Sequence, residues 1–200
     1  SIFALPFALT GAVLAAGGSV AAAAAVLGMV DALNAERGRA ACVPMDGFHM
    51  KQKKLLALGT ASEKGMPHTF EGAAFASFLH RLKKAHGPVA GTAYSRQIED
   101  VVEDAFTVPA EAKILVVEVD YLLLPDPPWD AVRPLLDLAV FIHIDREKIW
   151  ARLMKRHAEA GLFTEERNRE HIGRVDLPNY DRVERSAGRA DLRIDIDSER

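Results

Sequence analysis

Two carboxylates in this 200-residue chain each close an apolar run: Asp46 follows Ala40 to Met45, and Glu118 ends the apolar start of KILVVEVDYLLL, Lys113 to Leu124. Carboxylates at strand ends suit phosphoryl transfer, in which one group holds a metal or its water and another orients or deprotonates the attacking hydroxyl. The same residues serve many α/β proteins as plain loop caps, so the pair by itself leaves both readings open. A third acid, Asp145, follows the apolar run Leu138 to Ile144 and points to the same rim.

Upstream, Gly18-Ser19-Val20 opens a stretch with the spacing of a phosphate-binding loop. Written as G-x-x-x-x-G-K-[ST], a start at Gly18 puts Ala23 at the second glycine, Ala24 at the lysine and Ala25 at the hydroxyl. The lysine of such a loop brings charge to the β and γ phosphates and the hydroxyl ligates Mg²⁺. Alanine supplies neither. A start at Gly11 places Gly17 and Gly18 at those positions and restores nothing. Backbone N–H groups at a helix start survive any side-chain change, which leaves a weak anion site.

Alternating elements must hold these residues. Val13 to Gly17 reads as a strand, Ala24 to Glu36 as a helix ended near Gly38, and Ala40 to Met45 as a second strand. Phe70 to His86 reads as a helix whose Phe75, Phe78, Leu79 and Leu82 share a core-facing stripe. Lys113 to Leu124 and Leu138 to Ile144 are continuous apolar runs of the kind buried on both faces of a parallel sheet, the second followed by a helix from Arg146 to about Ala160. The expected architecture is α/β with a mostly parallel, doubly wound sheet, and ligands then sit beyond the carboxyl ends of its strands. Loops at Gly59 to Pro67, Gly87 to Gly91 and Pro125 to Trp129 are too short for linkers and no repeat is present, so residues 1–200 are expected to form one domain.

Composition narrows the partners. A 49% apolar and 26% charged chain is an ordinary globule, and a net charge of −3 gives no basic surface for nucleic acid or anionic membrane. Ser1 to Val30 carries no charged side chain, but Pro6, Gly11, Gly17, Gly18 and Gly28 interrupt it and no basic segment precedes it, so neither a membrane span nor a signal peptide is expected. Cys42 is the sole cysteine, which excludes an intramolecular disulfide and points to a reducing, cytoplasmic setting. The histidines show no metal-ligand spacing.

Several segments, in order, resemble bacterial P-loop kinases related to pantothenate kinase and uridine kinase, including those labelled nucleoside kinase-like or fructose transport system kinase. Val43-Pro44-Met45-Asp46-Gly47-Phe48-His49 is similar to the family's V-P-M-D-G-F-H, and Lys64 to Phe70 to its K-G-x-P-x-[TS]-[FY] loop. Tyr94-Ser95-Arg96 through Glu99-Asp100 resembles the segment lining the acceptor site, and Val116 to Leu124 the family's V-V-E-G-N-Y-L-L-L. Arg152 to His157, Asp176 to Asn179 and Arg189 to Leu192 match its lid helix and C-terminal segments. The resemblance implies a three-layer αβα P-loop NTPase fold with a short helical lid at about 150–170, using ATP and Mg²⁺.

The implied activity moves the γ-phosphoryl group of ATP to a hydroxyl of a nucleoside, sugar or pantothenate-like molecule. By the same resemblance Asp46 would be the catalytic base, with Arg152 and Arg156 on the transferring phosphoryl group. His49, Tyr94, Arg96 and Glu118 would line the substrate side, and Glu118 would hold Mg²⁺ through a water. Gly18, Ser19, Ala23, Ala24 and Ala25 occupy the nucleotide-binding positions. The partner expected is a small molecule, with a homodimer admissible. His49 can equally cap the following helix, and Arg152 and Arg156 can belong to a solvated face with Glu147, Lys148 and Lys155. Val119-Asp120 departs from the family's Gly-Asn, and the alanines leave a second reading open, a catalytically dead binding module on the same fold.

Overall fold

In the computed structural model, the residues described are 10–15, 20–37, 39–95, 97–118, 120–161 and 164–195. Five parallel strands form the sheet, in the order β2-β5-β1-β6-β7. They are β1 (Thr10–Ala15), β2 (Ala40–Pro44), β5 (Ile114–Glu118), β6 (Leu138–His143) and β7 (Leu192–Asp195). Helices connect them: α1 (Val20–Arg37), α2 (Gln52–Leu58), α3 (Gly72–Lys84), α4 (Arg146–Ala160), α5 (Glu165–His171) and α6 (Leu177–Glu184). A separate antiparallel ribbon pairs β3 (Val89–Ser95) with β4 (Asp100–Val108).

Successive residues of β5 point to opposite faces, and each face has its own core. Leu115 and Val117 join Val43, Ala139 and Phe141 under α3, in a cluster that also holds Phe75, Leu79 and Trp129. Val116 joins Ile142 against Val30 of α1, Ile149 and Leu153 of α4, and Leu177 and Tyr180 of α6. The sheet is thus the middle of three layers, as a doubly wound α/β fold requires. Asn34 of α1 gives and receives hydrogen bonds with the backbone of Ala40, at 3.1 and 2.7 Å, and so ties the helix end to the start of β2.

Several boundaries differ from the sequence reading. β1 covers Thr10–Ala15 and so begins three residues before the Val13 expected, while the expected end at Gly17 lies outside the described residues. The apolar run expected as strand to Leu124 leaves the ladder at Glu118, yet Tyr121, Leu122, Leu123 and Leu124 are buried. A continuous apolar run reports burial, which a packed turn satisfies as well as a strand does. The expected 70–86 helix covers Gly72–Lys84, because Phe70 is bridged to His49 instead. Val89 to Gly91, expected as loop, begins β3. Helix α1 starts at Val20, four residues before the Ala24 expected, as befits an alanine run, the strongest helix former.

One glycine is fixed by close approach. A Cβ on Gly47 would lie 1.8 Å from the Thr92 carbonyl oxygen of β3, so the turn after β2 can lie against the ribbon only without a side chain. Gly47→Ala is expected to cost about 2 kcal/mol or more in denaturant unfolding, because the opposing atoms, Thr92 O and C and Ala93 N, are all backbone. An unchanged midpoint would contradict this packing.

Candidate active site

Parallel register brings three strand ends together. Leu14 of β1 and Pro44 of β2 both stand opposite Glu118 of β5. Asp46 lies two residues beyond Pro44, at the head of a 3₁₀ turn (Asp46–Phe48) closed by the Phe48 N–H donating to Met45 O at 2.7 Å. Glu118 is half-buried and Asp46 exposed. Burial, with the Asp46 charge second, pushes the Glu118 carboxyl up to about 7. The Asp46 charge also reaches Tyr94 and Tyr121, whose hydroxyls are raised chiefly by burial.

This pair suits a Mg²⁺ ion. Burial and the neighbouring Asp46 charge both disfavour the ionised form of Glu118, and a bound cation would offset both. No cluster of three or more ligating side chains occurs among the described residues. Mg²⁺ needs none, since it usually takes one or two carboxylates together with waters and substrate phosphates. Glu118 would hold it, and bound Mg²⁺ would neutralise charge on the phosphates.

His49 packs against Phe70 at 3.9 Å between ring centroids and lies 5.1 Å from Tyr94. It does not cap the next helix: the N-cap of α2 is Lys51 and makes no side-chain cap bond. Its Nδ1 is buried without a partner. Burial first, and the Lys64 charge second, lower its pKa to about 4, so the ring is neutral near pH 7. The unfolded ring, near 6.5, binds a proton that the folded ring refuses, so stability rises with pH between about 4 and 6.5. The rise should reach at most about 3 kcal/mol and disappear in His49→Gln, as read by denaturant titration across that range.

Tyr94 ends the ribbon strand β3 and donates its hydroxyl proton to Glu99 Oε2 at 2.9 Å. The Tyr94 hydroxyl oxygen in turn accepts from Lys64 Nζ at 2.7 Å, and Lys64 also donates to the Glu99 main-chain carbonyl at 3.0 Å. Lys64 is placed by its neighbour, because the Gly65 carbonyl accepts from the Tyr121 hydroxyl and from Asn179 Nδ2 at 3.1 Å. Trp129 Nε1 grips the Pro67 carbonyl of the same loop at 3.3 Å. The sequence reading placed Lys64 at the head of the loop resembling K-G-x-P-x-[TS]-[FY] but gave it no role in the site.

Arg152 and Arg156 stand one turn apart on α4 and both are half-buried. Arg152 Nη1 is buried and unpartnered. The solvated face is carried instead by Lys155, 78% exposed and 3.9 Å from Glu159. Asp145 is the third acid expected at the rim. It heads α4 beside His143 at 3.5 Å and Lys148 at 3.7 Å, while His143 also meets Glu184 at 3.0 Å. Gly18, Ser19 and Arg96 lie outside the described residues. Ala23, Ala24 and Ala25 lie on the backbone of α1, where the loop register expected them before or at the helix start.

A three-layer parallel α/β fold with Glu118 and Asp46 at the ends of adjacent strands fits the P-loop kinase class. No protein-family profile matches the chain. Over 148 residues it is 30% identical to notR′ of Aspergillus versicolor, an ATP-dependent kinase-like protein, covering 70% of this chain and 86% of that one. It is 33% identical over 157 residues to the uncharacterized YggC of Escherichia coli (strain K12), covering 78% of this chain but 64% of the relative. A crystal structure assigned as a fructose transport system kinase, from Silicibacter sp. TM1040, superposes with a TM-score of 0.87 at 27% identity, covering 97% of this chain and 93% of that one. The chain belongs to the P-loop kinases related to pantothenate kinase and uridine kinase. Among the described residues no helix is long and apolar enough to cross a membrane.

Proposed function

We propose that the chain is an ATP-dependent phosphotransferase that moves a γ-phosphoryl group to a hydroxyl of a small molecule, a nucleoside, sugar or pantothenate-like acceptor, in a cytoplasmic setting. The observation that carries this is the register that sets Glu118 between Leu14 and Pro44, with Asp46 two residues beyond Pro44. Asp46, exposed at the head of its turn, accepts the acceptor's hydroxyl proton as the oxygen attacks. His49, Tyr94 and Arg96 line the acceptor side, the neutral His49 ring offering a flat wall beside Tyr94. Arg152 and Arg156 meet the charge that spreads over the equatorial oxygens of the phosphoryl group. Gly18, Ser19 and the start of α1 receive the nucleotide phosphates through backbone N–H groups.

The run Ala21 to Ala25 favours a second reading, a kinase-fold protein that binds its ligand without turning it over. Release of ADP from millimolar Mg·ATP, measured across nucleosides, sugars and pantothenate, separates the two. The phosphotransferase reading requires release that depends on one acceptor class. No acceptor-dependent release from any of them would leave the binding module.

A further inference from the structure

Lys64 lines a second feature besides the wall at Tyr94: a cleft of about 540 Å³ between its loop, Glu99 of the ribbon turn, and α5 with the helical turn after it. That volume lies in the range of small-molecule sites. Arg167, His171 and Arg174 form the wall on the helical side.

The charges in the cleft are unequally engaged. The Lys64 ammonium has three protons, and the two acceptors that it meets, the Tyr94 hydroxyl and the Glu99 carbonyl, are both neutral. Among the described residues no carboxylate lies within 4.0 Å of its Nζ. One lining carboxylate, Glu99, already accepts from Tyr94. The other, Glu170, meets Arg174 at 3.4 Å, but those side chains are 66% and 61% exposed, and so open a pair exchanges partners at little cost. Lys64 thus lines the cleft as a cation that no carboxylate meets among the described residues, and Arg174 stands across from it with an exchangeable partner. Lys64 is also held in place in advance through the Gly65 carbonyl, which lowers the ordering cost of binding.

We infer that this cleft receives an oxyanion, a carboxylate or phosphate, carried by the acceptor itself, with Lys64 and Arg174 as its specificity residues. The inference rests on the acceptor-side reading above, because Tyr94 joins the cleft to the wall beside His49. The acceptor class is therefore a small hydroxylated acid or sugar phosphate rather than a neutral polyol or nucleoside.

Calorimetric titration with matched pairs tests it: pantothenate against panthenol, glycerate against glycerol, and fructose 6-phosphate against fructose. In at least one pair the anion should bind about tenfold tighter or better than its neutral partner. Lys64→Gln and the exposed Arg174→Gln should each reduce that preference to about threefold or less. Carboxylate and phosphate pairs separate the two sources of charge. Neutral partners binding as tightly, a preference surviving both substitutions, or no binding by any of the six would each overturn the inference. The preference should persist in Asp46→Asn. Wild-type protein that shows the preference but never turns over ATP would remove the phosphotransferase reading and leave the anion site standing.

Discussion

Asp46→Asn is expected to lower acceptor-dependent phosphoryl transfer by about 10²- to 10⁴-fold, the usual contribution of a positioned general base. The amide keeps the shape of the side chain, and backbone bonds from Phe48 N–H to Met45 O and from His49 N–H to Asp46 O hold the 3₁₀ turn, so the fold should be retained. The loss should therefore fall on turnover, with Mg·ATP affinity changed little, since the base acts on the acceptor proton. Relief of the like charge at position 46 should also draw the Glu118 carboxyl down from about 7, although burial, the larger cause, remains. A variant as active as the wild type would remove Asp46 from the chemistry.

The second large effect runs the other way. Ala23→Gly, Ala24→Lys and Ala25→Ser together write the phosphate-loop pattern into the start of α1 and should raise turnover by about 10²- to 10⁴-fold. All three changes are needed. As written, α1 is already helical from Val20, so a lysine introduced alone at position 24 would project from a helical turn. Glycine at position 23 weakens that turn by about 1 kcal/mol relative to alanine and frees its N–H groups to face phosphate. Ala24→Lys alone should accordingly recover only a small part of the gain. Equal gains from the single and triple changes would show that the helix start is not an obstacle.

The acids of the site were legible because each follows an apolar run that begins as a buried strand, and parallel pairing then fixes where those ends meet. The ribbon was not. β3 and β4 lie off the main sheet and mix exposed with half-buried residues, so neither presents an apolar run or a clean alternation. β7 is an edge strand whose Leu192 and Ile194 are 50% and 42% exposed, and it reads as surface. Lys64 was visible as the first residue of a loop motif, but its role was not. Its position depends on Tyr121 and Asn179, which reach the Gly65 carbonyl from 56 and 114 residues away along the chain. Arg152 was legible as a charge at helical spacing, but its partial burial, which separates it from Lys155, follows from how α4 packs on the sheet.

The sharpest test is ³¹P NMR of Mg·ATP mixed with acceptor in the presence of the chain carrying Ala23→Gly, Ala24→Lys and Ala25→Ser, with and without Asp46→Asn. With Asp46 present, a phosphomonoester signal of the acceptor should grow as the γ-phosphate signal declines. With Asp46→Asn added, that signal should be slower by about 10² or more. Equal growth in the two samples, or loss of γ-phosphate with no acceptor ester in either, would contradict an acceptor-directed kinase built around Asp46.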